Sequence, residues 1–420
     1  MNNLVRRAAS TLLLLAGLAA PLAGQAPARP KVRAITAFVR IDRQNYRTVV
    51  SEALKVLLAA RDEFSKAGYE VETVRITTQP FPEYIRGLSR ADAMAFLREY
   101  DGFIAGEAKR TGVAVDPNIG PAMMKDDDDP AAADVLADVL SSGVQLNASL
   151  HVAGEDGVHW RAVRAAAHLI KTVSERSAHS QGTFNFAATA MLAPYAPFFP
   201  GSYHTGAGRQ FSIGMEGAGL VDQAFAAAGH DPAAAERRLT DLLTEHGRAV
   251  EKVGLAVEKQ TGWTYLGFDP TPAPIKDVSI GAAIERFTAA PFGSSGTMTA
   301  AALITRAVKA VPVKQVGYSG LMLPVLEDAR MAQRWTERTY SIDSLLAYSA
   351  VCGTGLDTVP LPGDVSEEQL ARMIGDVASL AVKWHKPLTA RLQPVAGKKA
   401  GEMSDFNDPF LVNALLQPLP

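Results

Sequence analysis

Strand-like and helix-like stretches alternate along this chain from about residue 32 onward, and that alternation restricts the fold more than any other feature. Residues 32–39 read as a first strand. Residues 46–67 then carry Val49, Val50, Ala53, Leu54, Leu57 and Leu58 at the 3.6-residue recurrence of an amphipathic helix, which Gly68 closes. Residues 71–76 are β-like, 91–100 helical, and 102–105 a short strand-like run. Continued to the C-terminus, the pattern predicts an α/β fold, with a largely parallel sheet or a barrel covered by helices. No fixed-period repeat and no dividing linker is visible, so residues 31–420 read as one α/β domain.

The first residues address a compartment. Arg6 and Arg7 precede an apolar block at residues 12–18, and Leu22-Ala23-Gly24-Gln25-Ala26 offers small residues for cleavage. This three-part layout predicts a signal peptide over residues 1–26 and a secreted or periplasmic protein. The apolar block is well short of the roughly 20 residues that span a bilayer, so no stable membrane anchor is expected. Roughly 390 residues remain after its removal, ample for a large core. With 42 basic and 44 acidic residues there is no long-range field for nucleic acid, and a small-molecule ligand is the expected partner. The subunit count is open, and a homo-oligomer is compatible with the sequence. Cys352 is the only cysteine, so no intramolecular disulfide can form.

Two composition features read as structure. The aspartate run within residues 125–130 predicts a solvated loop, because neighbouring carboxylates diverge unless a cation gathers them. Residues 184–199 are apolar but interrupted by Asn185, Pro194 and Pro197, which predicts buried irregular core rather than a membrane segment.

The richest stretch for chemistry is residues 349–364. Apolar residues lead into Cys352, flanked by Gly353, so the backbone can turn tightly and present a thiol; Asp357 and Asp364 follow. Ser366 and Gln369 form a capping box for a helix over 367–384. Free cysteines are equally often inert buried residues. Gly293, Ser294, Ser295, Gly296 and Thr297 precede another helix, whose free amides could receive an anionic group or could simply be capped. His204 and Glu216 flank a Gly-rich turn and could act as an acid/base pair, or could satisfy buried backbone. Asp269, held in a proline-rich segment, is a rigidly presented carboxylate or a turn cap. No zinc spacing occurs among the histidines; Asp269, Asp357 and Asp364 could hold magnesium or calcium only if they meet in space, so the metal and any cofactor stay unassigned.

At these residues the chain resembles the family known as domain of unknown function 711, or uncharacterised protein family 0210. The resemblance rests on Thr77-Thr78-Gln79-Pro80-Phe81, Pro197-Phe198-Phe199-Pro200, residues 211–216, 292–298, 352–357 and 360–364, in that order, and covers the chain from about Lys31. It implies a barrel related to those of pyruvate formate-lyase and ribonucleotide reductase, with about ten strands around a finger loop, and would place Cys352 at the tip of that loop. The stretch from Arg391 to Gly397 does not match the glycine loop of the radical enzymes, so no glycyl radical is expected. The leading expectation is an enzyme acting on a small polar metabolite in the barrel cavity. Cys352 would be nucleophile or thiol acid/base, Asp357 and Asp364 would orient substrate, and the turn at Gly293 would receive an anion. The alternative is a periplasmic or extracellular small-ligand-binding protein without catalysis.

Overall fold

The computed structural model describes residues 29–419. The signal segment expected over residues 1–26 lies outside them.

The periodicity that predicts the first helix is the periodicity that packs it. The helix Tyr46–Lys66 buries Val50, Ala53, Leu54, Leu57 and Phe64 along one stripe, and such a stripe forms a stable helix chiefly because it has a sheet to cover. That sheet contains β1 (Lys31–Val39), β2 (Val71–Thr78), β3 (Val115–Pro121), β4 (Asn147–Gly154), the two-residue β5 (Gly157–Val158), β6 (Phe186–Ala190), β7 (Gln210–Glu216), β8 (Thr264–Asp269), β9 (Gly355–Pro362) and β10 (Leu388–Val395). Their order is β8-β7-β1-β2-β3-β4-β6-β10-β9, with β5 paired to β4 alone.

Two parallel blocks make up this sheet. β1, β2, β3, β4 and β6 run parallel to one another. β7 with β8, and β9 with β10, are parallel pairs that meet the first block antiparallel, at β1 and at β6. Residues 314–326 close the gap between the sheet's two ends. Phe268 N of β8 donates to Lys314 O at 2.8 Å, and Val325 N donates to Asp357 O of β9 at 3.0 Å. The result is the expected α/β barrel, which leaves the path few unpaired edges. Helices coat its outside; Glu367–Trp384 and Trp160–Arg176, for instance, pack on each other and on β4 and β10.

The barrel has a central loop, residues 191–209, which joins the two blocks between β6 and β7. It is held from four strands at once: Thr36 of β1 donates to Pro197 O at 2.9 Å, Asn118 of β3 to Pro200 O at 2.7 Å and Ser212 of β7 to Tyr195 O at 2.9 Å, while Thr77 of β2 meets the Ser202 hydroxyl at 2.9 Å. A buried loop must have its polar backbone satisfied, and inward-facing polar strand residues do this here. Gly214 of β7 lacks a Cβ where one would lie 2.9 Å from the Phe198 ring. Leu192, Ala196 and Phe198 pack with Ala273 and Tyr318 as a second, interior apolar cluster.

Local readings hold where capping decides them. Ser366 Oγ accepts from Gln369 N at 3.1 Å and Gln369 Oε1 from Ser366 N at 3.0 Å, so the helix starts where the capping box places it. The aspartate run is a connection whose carboxylates diverge: Asp128 Oδ2 accepts from Met124 N at 2.7 Å, while Asp126 Oδ1 caps the helix Trp160–Arg176 through Arg161 N at 2.6 Å. Two readings are corrected. Residues 102–105 are no strand but lie inside the helix Arg90–Thr111, because Leu97, Tyr100 and Ile104 continue its buried stripe. The apolar run over 184–199 contains a regular strand, β6, whose small residues fit between β4 and β10.

Candidate functional site

One mouth of the barrel holds a cavity of about 490 Å³. The N-terminal parts of β1, β2 and β3 bring Arg33, Glu72, Arg75 and Asp116 to it, and the opposed block brings Asp357 from β9 and Arg391 from β10. Two of the three arginines sit where a strand breaks register: β1 slips against β7 between Val32 and Ala34, and β10 slips against β9 between Ala390 and Leu392. A bulge re-aims the side chain it carries, and these two deliver Arg33 and Arg391 to the same space.

All three guanidiniums are buried. Arg33 Nη1 lies 2.9 Å from Glu72 Oε2 and 3.7 Å from Glu216 Oε2, and its Nη2 is 3.7 Å from Glu327. Arg391 Nη1 contacts Glu327 at 2.7 Å and Asp357 at 3.3 Å, its Nε donates to Phe184 O at 3.0 Å, and its guanidinium lies 4.1 Å from the Phe184 ring centre. Arg75 is held by weaker partners: Thr73 Oγ1 at 3.1 Å, Pro197 O at 3.3 Å and Asp116 at 3.6 Å.

This crowding moves proton affinities. Burial, with Arg391 opposing and Glu327 reinforcing, pushes the Asp357 carboxyl up to about 6. Burial and the adjacent Glu72 carboxyl lift Glu216 to about 8 against Arg33 and Lys31. Burial lowers Arg75 to about 10, with Asp116 only partly offsetting it. Arg33 goes the other way: burial opposes its charge, but Glu327, Glu72 and Glu216 together raise it. Carboxyls that titrate near neutrality inside a pocket are suited to general acid/base work.

The residues singled out from sequence are scattered. Asp357 lines the cavity and Glu216 stands behind Arg33, so these two belong to the site. Cys352 does not. It precedes β9 at the far mouth of the barrel, is 1 % exposed, and borders a separate hollow of about 310 Å³ between the helices Thr297–Lys309 and Glu367–Trp384. Lys386 Nζ donates to the carbonyls of Ser349 and Cys352, fixing the backbone there. The loop inside the barrel is residues 191–209, and it carries no cysteine. Asp364 is exposed past the other end of β9.

His204 and Glu216 do not pair. Glu216 is in register with Lys31 at the start of β1, whereas His204 Nε2 meets Val39 O at 2.6 Å at its end, which separates them by about 26 Å of strand. His204 instead serves buried backbone, and burial lowers its proton affinity. Asp269 is a turn anchor. It accepts from Thr271 N at 3.0 Å, Thr271 Oγ1 at 2.5 Å, Tyr318 N at 2.8 Å and Ser319 N at 3.1 Å, and burial outweighs these donors to raise it to about 6. The turn at Gly293, Ser294, Ser295, Gly296 and Thr297 lies apart from this cavity, and the chain takes up two of its amides itself: Gly293 N donates to Thr297 Oγ1 at 3.0 Å and Thr297 N to Ser294 O at 3.1 Å. Asp269, Asp357 and Asp364 do not converge, and among the described residues no group of three or more His, Cys, Asp or Glu is placed to hold a metal ion.

Sequence reasoning missed Arg33, Glu72, Arg75, Glu327 and Arg391. The available signal was an arginine set within otherwise apolar strand-like runs, at residues 33 and 75.

Fold and site together define a closed α/β barrel with a plugged interior and a charged cavity at one mouth. The sequence matches the family described as "Uncharacterised ACR (DUF711)" over residues 27–407. The chain belongs to that family. It is 34% identical to the UPF0210 protein of Pyrobaculum aerophilum over 81% of this chain and 77% of that one, and 28% identical to a UPF0210 protein of Listeria monocytogenes over 86% and 82%. Among solved structures it is similar to the anaerobic ribonucleotide reductase from Thermotoga maritima in complex with dATP and CTP, at 9% identity and a TM-score of 0.42, over 86% of this chain and 75% of that one.

Proposed function

We propose that this protein is an enzyme that moves a proton on a small polar metabolite held at the charged mouth of the barrel, without a glycyl radical. One observation carries the reading: Asp357, in the cavity wall, is 3.3 Å from Arg391 and has its carboxyl raised to about 6. A group with that affinity exchanges its proton readily near neutral pH, which is what a general acid or base needs. Arg391 fixes the orientation of Asp357, and the buried arginines supply charge that water would otherwise screen. The radical route has no support in the stretch from Arg391 to Gly397, where Arg391 is committed to Glu327.

The test is incubation of the purified protein in D2O with a mixture of small carboxylates, amino acids and amines, read by mass spectrometry. Wild-type protein is expected to introduce solvent deuterium into at least one of them, and Asp357→Asn to introduce none. Retention of a compound with neither label nor turnover would make this a binding protein instead.

We also propose that the chain is exported, on the basic, apolar and small-residue succession of residues 1–26. Mass spectrometry of the protein from its native cells should find it outside the cytoplasm with a new N-terminus near Pro27; an intact Met1 on cytoplasmic protein contradicts this. No described helix is long and apolar enough to cross a membrane.

A further inference from the structure

The charges in the cavity are unevenly paired, and that unevenness says what kind of molecule fits. Glu70, Glu72, Asp116, Glu327, Asp357 and Asp408 line it against three arginines. On one side Glu327 and Asp357 share the guanidinium of Arg391. Arg33 reaches Glu327 too, but only at 3.7 Å, because its close contact is with Glu72 at 2.9 Å. With Lys31, which reaches Glu70 at 3.0 Å and Glu72 at 3.8 Å, three cations face the carboxylates of Glu70, Glu72, Glu327 and Asp357, leaving about one unit of negative charge without a partner on this side.

At Arg75, on the strand beside that of Arg33, the imbalance is reversed. Arg75 is only 9 % exposed, yet among the described residues its Nη2 donates to no group, and its nearest carboxylate, Asp116 at 3.6 Å, has a side chain 41% exposed. A guanidinium offers five N–H donors in a fixed fork, and a carboxylate is its natural partner. With no protein partner of its own, the Nη2 of this largely buried guanidinium is left open to the cavity, so Arg75 is an anion receptor that the chain itself does not fill. Phe198 and Phe199 supply an apolar wall at the same cavity, and the Arg75 guanidinium lies 4.8 Å from the Phe199 ring centre.

We infer that the cavity receives a zwitterion of the amino-acid class, its carboxylate on Arg75, its ammonium group against Asp357 and Glu327, and its carbon body against Phe198 and Phe199. The inference rests on the reading of this cavity as the ligand site. A zwitterion satisfies both deficits without importing net charge, whereas a simple anion would add to the surplus of carboxylates and a simple amine would leave Arg75 unpaired.

Isothermal titration of the purified protein tests it with a ladder of probes: glycine, β-alanine, 4-aminobutyrate, 5-aminopentanoate, 6-aminohexanoate and L-norleucine. Each is compared with the alkanoate and the alkylamine of equal length. At least one amino acid should bind about tenfold or more tighter than both of its singly charged analogues. Arg75→Gln should reduce its affinity to that of the amine, and Asp357→Asn to that of the acid. Arg75→Lys, which keeps the charge and loses the fork, serves if Arg75→Gln does not fold. An alkanoate or an alkylamine binding within about twofold of the matched amino acid overturns the zwitterion while leaving the cavity a ligand site. If no probe of any charge binds, both the inference and the underlying reading of the cavity fall.

Discussion

Gly353 and Gly320 cross backbone to backbone, so closely that a Cβ built on Gly353 would lie 2.5 Å from the Cα of Gly320. Gly353 N donates to Leu321 O at 2.8 Å in the same crossing. The glycine beside the lone cysteine therefore serves the closure of the barrel, where residues 314–326 pass between β8 and β9.

It follows that Gly353→Ala is destabilising whatever becomes of the thiol. Neither neighbouring backbone can give way cheaply, and overpacking of this kind costs about 1–3 kcal/mol. Urea unfolding should show the midpoint falling by the corresponding amount; an unchanged midpoint would mean that the crossing is loose.

Cys352 should behave as a buried small residue. Its thiol is expected to react with an aromatic disulfide reagent far more slowly in native protein than in urea, in keeping with its 1 % exposure. Cys352→Ala should lower stability by about 1 kcal/mol and leave ligand binding at the charged mouth unchanged. Loss of that binding in the variant would restore the thiol to the site.

Stability should fall with rising pH above neutrality, and Glu216 should be the cause. The native state holds the Glu216 proton more tightly than the unfolded chain does, because its carboxyl is raised to about 8 by burial and by Glu72. That contribution is whole below the ordinary carboxyl range and is lost as pH rises through about 8. Each tenfold difference in proton affinity corresponds to about 1.4 kcal/mol. Buried His151, held down to about 3 by burial, has the opposite sign, but its effect is complete by the ordinary imidazole range of about 6.5. Urea midpoints between pH of about 6.5 and 8.5 should therefore decline in wild-type protein and stay level in Glu216→Gln; a level wild-type profile would contradict the assignment.

Much of the framework was legible because it is local. The stripe on Tyr46–Lys66 and the capping box at Ser366 and Gln369 need only near neighbours to be read, and the β/α alternation narrows the architecture to a sheet or barrel under helices. Residues 102–105 were misread for a related reason: four apolar-rich residues fit either period, and only the buried stripe through Tyr100 and Ile104 decides between them.

The site was only half legible. Asp357 could be named from its surroundings in sequence, but Cys352, five residues earlier, could not be assigned to the opposite mouth without knowing how β9 runs. A glycine-framed thiol looks the same on paper whether the glycine frees a reactive loop or permits a chain crossing.

By itself the sequence determined the elements and the polar caps that end them, since each depends on residues a few positions apart. The meeting of Arg33, Arg75, Asp357 and Arg391 was decided only in the closed barrel. Two slips of strand register turn Arg33 and Arg391 toward the space that Asp357 and Arg75 already face, and which charges then compensate one another depends on distances across the barrel that no spacing along the chain encodes.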